Sequence, residues 1–392
     1  MNVREIGSVG EWDECEADWR RVTTLPWTTA TVFQSWDWLR AWWRYFGGRR
    51  RLWILEFRDG GQPVGYAALY LPRRGAPART VRFVGTGMSD YNDAVAAPGF
   101  ETRVARAFWD FLGEQRRVWD WLDFQQVQPG AVLRCASAAV SGVRSPFRVG
   151  CWEGETCPFL TLPEDWEAFR RSLGKKLRGN VGYYDRALKK RFAGVEARCA
   201  TPATLAGDME ALFALHQRRW NQRWLPGVFA GRRVRAFHQE VAWRLLEDGA
   251  LRLHSLRFDG KVQAALYCFQ FNGRCAYYAG GFEPEHARLS LGTVITARAI
   301  RHAIEADGAR AFDFLRGDEP YKKKWGAQDR FNVRLSGTHG GARGALLAFG
   351  GKVGLRCELA LKHRMHHAHG TGGGSGDDSG SKKGKTAEEE GR

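Results

Sequence analysis

Phe312-Asp-Phe-Leu-Arg-Gly-Asp-Glu-Pro-Tyr-Lys-Lys-Lys-Trp-Gly326 is the stretch on which the reading of this chain turns. Ala311 to Leu315 reads as a short strand, and Asp313 stands inside it, where a carboxylate is costly unless paired. Arg316, Asp318, Glu319 and Tyr321 then crowd a glycine-containing turn, and Lys322 to Lys324 precede Trp325. Two readings of that crowding stay open from the residues alone. One is a salt-bridged turn that anchors the strand. The other is a polar cluster at a cleft mouth, where carboxylates orient or deprotonate a nucleophile.

Working outward, Thr293 to Ala306 carries apolar residues at Val294, Ile295, Ala297, Ile300 and Ile304, a helical spacing. Leu251 to Phe258 and Lys261 to Tyr267 flank Asp259-Gly260, and Asn272-Gly273 leads into Arg274 to Ala279. Both dipeptides supply the positive φ of a tight hairpin, so the three segments make an antiparallel meander. A loop from Gly280 to Leu291 joins it to the helix. At that junction, Arg288-Leu-Ser-Leu-Gly-Thr293 places unsatisfied amides and the helix dipole where an anion can sit. Gly292 permits close backbone approach, and Ser290 and Thr293 can cap the helix or donate to a phosphate.

The first half echoes the second. Leu52 to Gly60 followed by Gln62 to Tyr70 is again strand, Asp-Gly turn, strand. Each copy follows an aromatic helical stretch, Trp36 to Phe46 in one and Phe237 to Leu246 in the other, which points to duplication. Ser89-Asp-Tyr-Asn-Asp93, after Gly85-Thr-Gly87, reads as a polar turn or a cleft-facing loop. Leu215-His-Gln-Arg-Arg-Trp220 sets His216 and Trp220 one helical turn apart, either on a plain helix surface or against substrate. Between the copies, nine Lys or Arg lie from Arg170 to Arg191 against one acid, Asp185. That region is a solvated helical face or a rim that steers anions.

With 44% hydrophobic residues, the 392-residue chain can bury the cores of about two domains, and most of its 17 Trp and 23 Phe are expected there. A formal charge of +17 favours nucleic acid, an acidic membrane surface or a phosphate-bearing cofactor without choosing among them. The eight cysteines form no C-x-x-C pair and read as reduced thiols of a cytoplasmic protein. The N-terminus has no signal-peptide apolar run, and no apolar stretch approaches the ~20 residues of a membrane span, so a soluble or peripheral protein is expected. Residues 346–369 suggest a terminal helix, and 370–392 a disordered tail. Histidines 363, 366, 367 and 369 include an i,i+4 pair, but no interleaved cysteine or carboxylate completes a ligand set, and no metal site is expected.

Several of these segments together carry a resemblance. Phe33-Gln-Ser-Trp-Asp-Trp-Leu-Arg-Ala-Trp-Trp43, Ser89-Asp-Tyr91, Leu215 to Trp220, Leu291-Gly-Thr293 and above all Phe312 to Lys322 resemble the BioF2-like (CelD-type) acetyltransferases. That family belongs to the GNAT superfamily and is related to the Fem-type peptidyl transferases. The resemblance spans roughly residues 30 to 332. It implies an α+β fold of two tandem GNAT-like domains, each a mixed, largely antiparallel sheet flanked by helices. The expected division is 1–150 for the first and 151–345 for the second, which keeps the acyl-donor cleft.

The implied activity is acyl transfer from acyl-CoA, acetyl-CoA foremost, to an amine on a small or sugar-linked acceptor, with no permanently bound cofactor. The implied setting is polysaccharide or cell-envelope synthesis. Asp313 and Asp318 would be base or orienter and Tyr321 the acid. Tyr278, Gly280, Arg288, Ser290, Gly292 and Thr293 would hold the donor. Asp90, Tyr91, His216, Arg219, Trp220, Arg316 and Lys322 would face the acceptor. Residues 288–293 only approximate the GNAT pyrophosphate loop, Arg/Gln-x-x-Gly-x-Gly/Ala, so donor binding is inferred from position in the fold. Aminoacyl-tRNA transfer of the Fem kind and a non-catalytic binding module are the alternatives, and peripheral membrane contact stays open.

Overall fold

The structure, a computed structural model, describes residues 1–128, 130–135, 147–221 and 227–339. The terminal helix and tail expected from 346 onward, with their histidines, lie outside the described residues.

The first half begins with β1 (Asn2–Ile6), α1 (Val9–Asp13), α2 (Glu16–Thr24) and α3 (Trp36–Trp42). The hairpin β2 (Arg51–Asp59) and β3 (Gln62–Leu71) follows, then β4 (Thr80–Phe83), β5 (Val95–Ala96), α4 (Glu101–Glu114), β6 (Trp121–Val127) and β7 (Phe147–Thr156). The second half runs through β8 (Phe159–Thr161), α5 (Trp166–Ser172), α6 (Lys175–Arg191), β9 (Glu196–Cys199), α7 (Leu205–Asn221) and α8 (Arg232–Glu247). The meander β10 (Leu251–Phe258), β11 (Lys261–Phe271) and β12 (Arg274–Phe282) leads to α9 (Leu291–Glu305), β13 (Ala311–Asp313), α10 (Pro320–Lys324) and β14 (Phe331–His339).

Among the described residues two mixed sheets result, each flanked by helices. One has the order β1-β2-β3-β4-β6-β14-β7, with β5 beside β3; the other is β8-β13-β12-β11-β10-β9. The echo in sequence is an echo in topology. An antiparallel run ends in one parallel pair, β4 with β6 in the first sheet and β12 with β13 in the second. Each parallel pair is followed by an antiparallel neighbour: β14, late in the chain, lies on β6, and β8 lies on β13.

Side-chain alternation divides the apolar residues among those described into three cores. The central one joins facing surfaces of the two sheets, Ile54, Tyr66 and Ala68 on one side and Leu253, Ala265 and Tyr267 on the other, through α1–α3, α7 and α8. Trp12, Trp19 and Trp36 meet edge-on or tilted there, at centroid separations of 5.6 to 6.0 Å. The outer cores lie between the first sheet and α4, and between the second sheet and α5, α6 and α9. The tryptophans are thus mainly structural; Trp27 and Trp243 are the exposed ones among the described residues.

Two of the expected boundaries that moved bear on the site. The strand at 274–279 continues to Phe282, because its backbone stays paired to β11 as far as Ala264. The strand at 311–315 stops at Asp313, because Leu315 takes a left-handed backbone conformation (φ 53°) that no ladder accommodates.

Candidate active cleft

The moved boundaries create the cleft. Strands β12 and β13 pair in parallel only over Arg274–Ala276 and Ala311–Asp313, and then separate. Beyond Asp313 the Phe314 amide bonds to the Pro158 carbonyl and the Gly317 amide to that of Thr156, drawing the chain away from β12. A register shift between Tyr267 and Cys268 leaves Tyr278 as an extra residue in β12, a bulge that bends the strand at the point of divergence. The wedge between Tyr277–Phe282 and the departing 314–317 segment opens where that parallel pairing ends.

Asp313 anchors the wedge. Its buried carboxylate accepts from the Tyr91 hydroxyl (3.0 and 2.9 Å), the Leu315 amide (2.9 Å) and Arg330 Nη2 (2.7 Å), with Arg274 Nη1 at 3.8 Å. Burial, followed by the adjacent Asp313 charge, pushes the Tyr91 phenol well above its ordinary pKa, so it stays a donor. Arg330 also bonds to the Tyr91 oxygen at 3.0 Å. Next to them Arg316 Nε donates to Asp90 at 2.5 Å and faces Glu155 at 3.8 Å, while Asn332 Nδ2 donates to the Asp90 carbonyl. The loop 85–93 of the first half is thereby fastened to the second sheet. Trp38 Nε1 to Ser89 Oγ (2.9 Å) and Gln34 Nε2 to the Tyr91 carbonyl (2.8 Å) hold it from behind.

On the face toward the central core, the Tyr278 hydroxyl donates to the Met88 carbonyl at 3.0 Å and lies 3.5 Å from His238 Nε2. Burial holds His238 neutral, its pKa pulled down to about 3. Helix α7 crosses β12 so closely that a Cβ on Gly281 would lie 2.5 Å from the His216 amide nitrogen. That approach sets His216 beside the wedge, its Nε2 accepting from Trp220 Nε1 at 2.9 Å. Arg219 is on the same helix, its side chain outside the described part of the structure.

On the opposite face, Ser290 opens α9 in a left-handed conformation (φ 46°, ψ 47°) with no side-chain cap. Its carbonyl takes the Thr293 and Val294 amides, while those of Leu291 and Gly292 find no acceptor among the described residues. Gly292 lies against the Phe282 ring, where a Cβ would come within 3.3 Å, and a Cβ on Gly280 would meet the Tyr277 hydroxyl at 2.6 Å. Arg288 is exposed at this end. Tyr321 packs edge-on to Phe314 at 6.2 Å, and Asp318 is exposed on the turn. Lys322 is buried, its Nζ donating to the carbonyls of Arg316 (2.8 Å) and Gly317 (3.0 Å) and pairing with the Glu319 carboxylate (2.9 Å). Its donors serve the turn.

The fold therefore gathers Asp90, Tyr91, Asp313 and Arg316 into one buried network, with Tyr278 and His216 on one side of the wedge. Ser290, Gly292 and Thr293 stand at a helix start on the other side, and Asp318 and Lys322 belong to the turn between. Sequence reasoning missed Arg330, Arg274, Glu155 and Asn332, which complete the network from three other strands and loops. Their only signal was cationic or polar residues flanking strand ends, which many surface residues share.

Residues 175–323 match the family model of the acetyltransferase (GNAT) domain. That match covers the stretch that contains the wedge. Among solved structures, FemX superposes with a TM-score of 0.58 at 13% identity, over 85% of this chain and 96% of that one. A C-terminal DUF2156 domain from Agrobacterium fabrum gives 0.53 at 15% identity, covering 88% and 97%. A conserved Bacteroides thetaiotaomicron protein gives 0.53 at 10%, covering 83% and 97%. At these identities the likeness concerns the fold. No curated protein matches the sequence significantly. Among the described residues no helix is long and apolar enough to cross a membrane, and no cluster of ligating side chains could hold a metal.

Proposed function

We propose that this chain is an N-acyltransferase that moves an acyl group from acyl-CoA to an amine, in the BioF2-like branch and on a polysaccharide or cell-envelope precursor. The observation that carries the reading is the wedge between β12 and β13, opening beside the uncapped start of α9. The α9 amides and the Ser290 and Thr293 hydroxyls suit the phosphates of the donor, since a helix start favours anions. Backbone amides of the unpaired β12 edge near Tyr278 to Gly280 suit the thioester carbonyl, whose oxygen gains charge as the amine attacks. The nitrogen–carbon bond forms, the carbon–sulfur bond breaks, one amine proton leaves to a base and the thiolate takes one from an acid. Holding the two reactants in line supplies much of the acceleration, about 7–11 kcal/mol in favourable cases.

The division of the chain near residue 150 belongs to this proposal, with the second part providing the donor wedge and loop 85–93 of the first closing one side. Asp313, enclosed by Tyr91, Leu315 and Arg330, is assigned to positioning. Asp318, exposed on the turn, is assigned as the base, and Tyr321 as the acid. Asp90, Arg316, His216 and Trp220 line the acceptor side. The likeness to FemX together with the cationic α6 favours aminoacyl-tRNA as the second reading.

Thermal unfolding with a panel of acyl-CoA esters decides between them. A donor at 100 times its Kd stabilises by about 2.7 kcal/mol, and Gly292→Leu, which fills the space before Phe282, should abolish that shift. No shift with any ester, alongside one with aminoacyl-tRNA, overturns the acyl-CoA assignment.

A further inference from the structure

Helix α6 (Lys175–Arg191) has an outer face that the cleft does not use. At about 100° per residue, Lys175, Gly179, Gly182, Tyr183, Arg186 and Lys190 share one side, with Lys176 at its flank. The opposite side holds Leu177, Val181, Tyr184 and Leu188 against the outer core. The helix's single acid, Asp185, is turned inward and spent on Lys189 and Arg298. Lys175, Lys176, Arg186 and Lys190 are exposed and have no acidic partner among the described residues. Tyr183, 60% exposed, stands in their midst.

The two glycines are the second observation. Glycine is a poor helix former, yet Gly179 has no atom within 4 Å of where a Cβ would stand, and Gly182 meets only the tip of Arg186. Nothing among the described residues calls for small residues there. Their effect is to keep the middle of the face low, so that the surrounding cations can reach a flat partner together.

We propose that this face of α6 docks the protein on an anionic phospholipid surface. Three of the four unpaired cations are lysines, compact charges on flexible stems that suit a diffuse layer of headgroups; duplex phosphates call more for the planar fork of arginine. A tyrosine amid lysines on an amphipathic helix is the composition of an interfacial segment, its ring resting at headgroup depth. Docking there would bring a membrane-bound acceptor to a cytosolic donor. The proposal does not depend on the transfer chemistry.

The test is co-sedimentation of the full chain with phosphatidylcholine vesicles, with and without phosphatidylglycerol. Binding should require phosphatidylglycerol and fall with added salt. Lys175→Glu/Lys176→Glu/Arg186→Glu/Lys190→Glu should weaken it at least about tenfold, since each cation contributes separately. The exposed quartet Arg73→Glu/Arg74→Glu/Arg116→Glu/Arg117→Glu makes the same change in net charge elsewhere and should weaken it far less. If the reversed helix fails to fold by circular dichroism, the glutamine quartet replaces it, and Tyr183→Ser adds a charge-neutral arm. Equal losses in the two quartets, equal binding to pure phosphatidylcholine, or tighter capture of duplex RNA than of vesicles at matched phosphate would overturn the assignment.

Discussion

Replacing Asp313 by Asn separates an anchoring carboxylate from a catalytic one. The buried Asp313 accepts from the Tyr91 hydroxyl, the Leu315 amide and Arg330, and has Arg274 within 4 Å (3.8 Å). Asparagine keeps the shape but turns one acceptor oxygen into a donor facing donors, and leaves the Arg330 charge without its counterion. Removing one member of a buried pair costs about 3–5 kcal/mol; the Arg330 side chain retains 21% exposure, so the lower end, about 3 kcal/mol, is expected. Tyr91→Phe removes one of several donors and should cost about 1 kcal/mol. The two changes should be non-additive by at least about 0.5 kcal/mol, because the residues share a network. Urea unfolding followed by tryptophan fluorescence measures all three quantities. Once acyl transfer can be assayed, turnover per folded molecule should keep its pH profile in Asp313→Asn. A cost below about 1 kcal/mol would show that the network is not closed around this carboxylate. Loss of the acidic limb of the profile in a well-folded variant would restore Asp313 as the base.

Two other expectations follow from buried groups. His238 and His254 are each pulled down to about 3 by burial, from 6.5 when unfolded, so their contribution is complete above pH 6.5 and is lost as pH falls toward 3. At pH 5 each should cost about 2 kcal/mol, and His254→Asn should reduce the loss of stability between pH 7.5 and 5 by about that much; parallel curves for variant and wild type would contradict this. Gly281→Ala places a methyl 2.5 Å from the His216 amide, so α7 must lift off β12 at a cost of about 1–3 kcal/mol in urea melts.

Elements of both halves were legible because they rest on local rules. Asp259-Gly260 and Asn272-Gly273 fixed the meander, and the spacing of Val294, Ile300 and Ile304 fixed the helix after it. The echo at Asp59-Gly60 identified the first hairpin for the same reason. The wedge was less legible. Nothing in the alternation of Phe312, Phe314 and their neighbours shows that Leu315 will turn left-handed, since that conformation is stabilised by bonds to residues 156 and 158.

The Phe312–Gly326 segment shows the division most clearly. Its sequence determined that a strand carrying a buried carboxylate runs into a charged turn, because burying Asp313 demands partners. The two readings left open there were a salt-bridged turn and a cleft mouth, and the fold joins them: Lys322 braces the turn while Asp313 braces the wedge. Which partners Asp313 would have was decided only in three dimensions. Tyr91 lies 222 residues upstream and Arg330 lies 17 downstream, and only the packing of the first-half loop against the second sheet brings both to one carboxylate. Chain-local preferences set strands, turns and helices; a network closed across such separations depends on the whole tertiary structure.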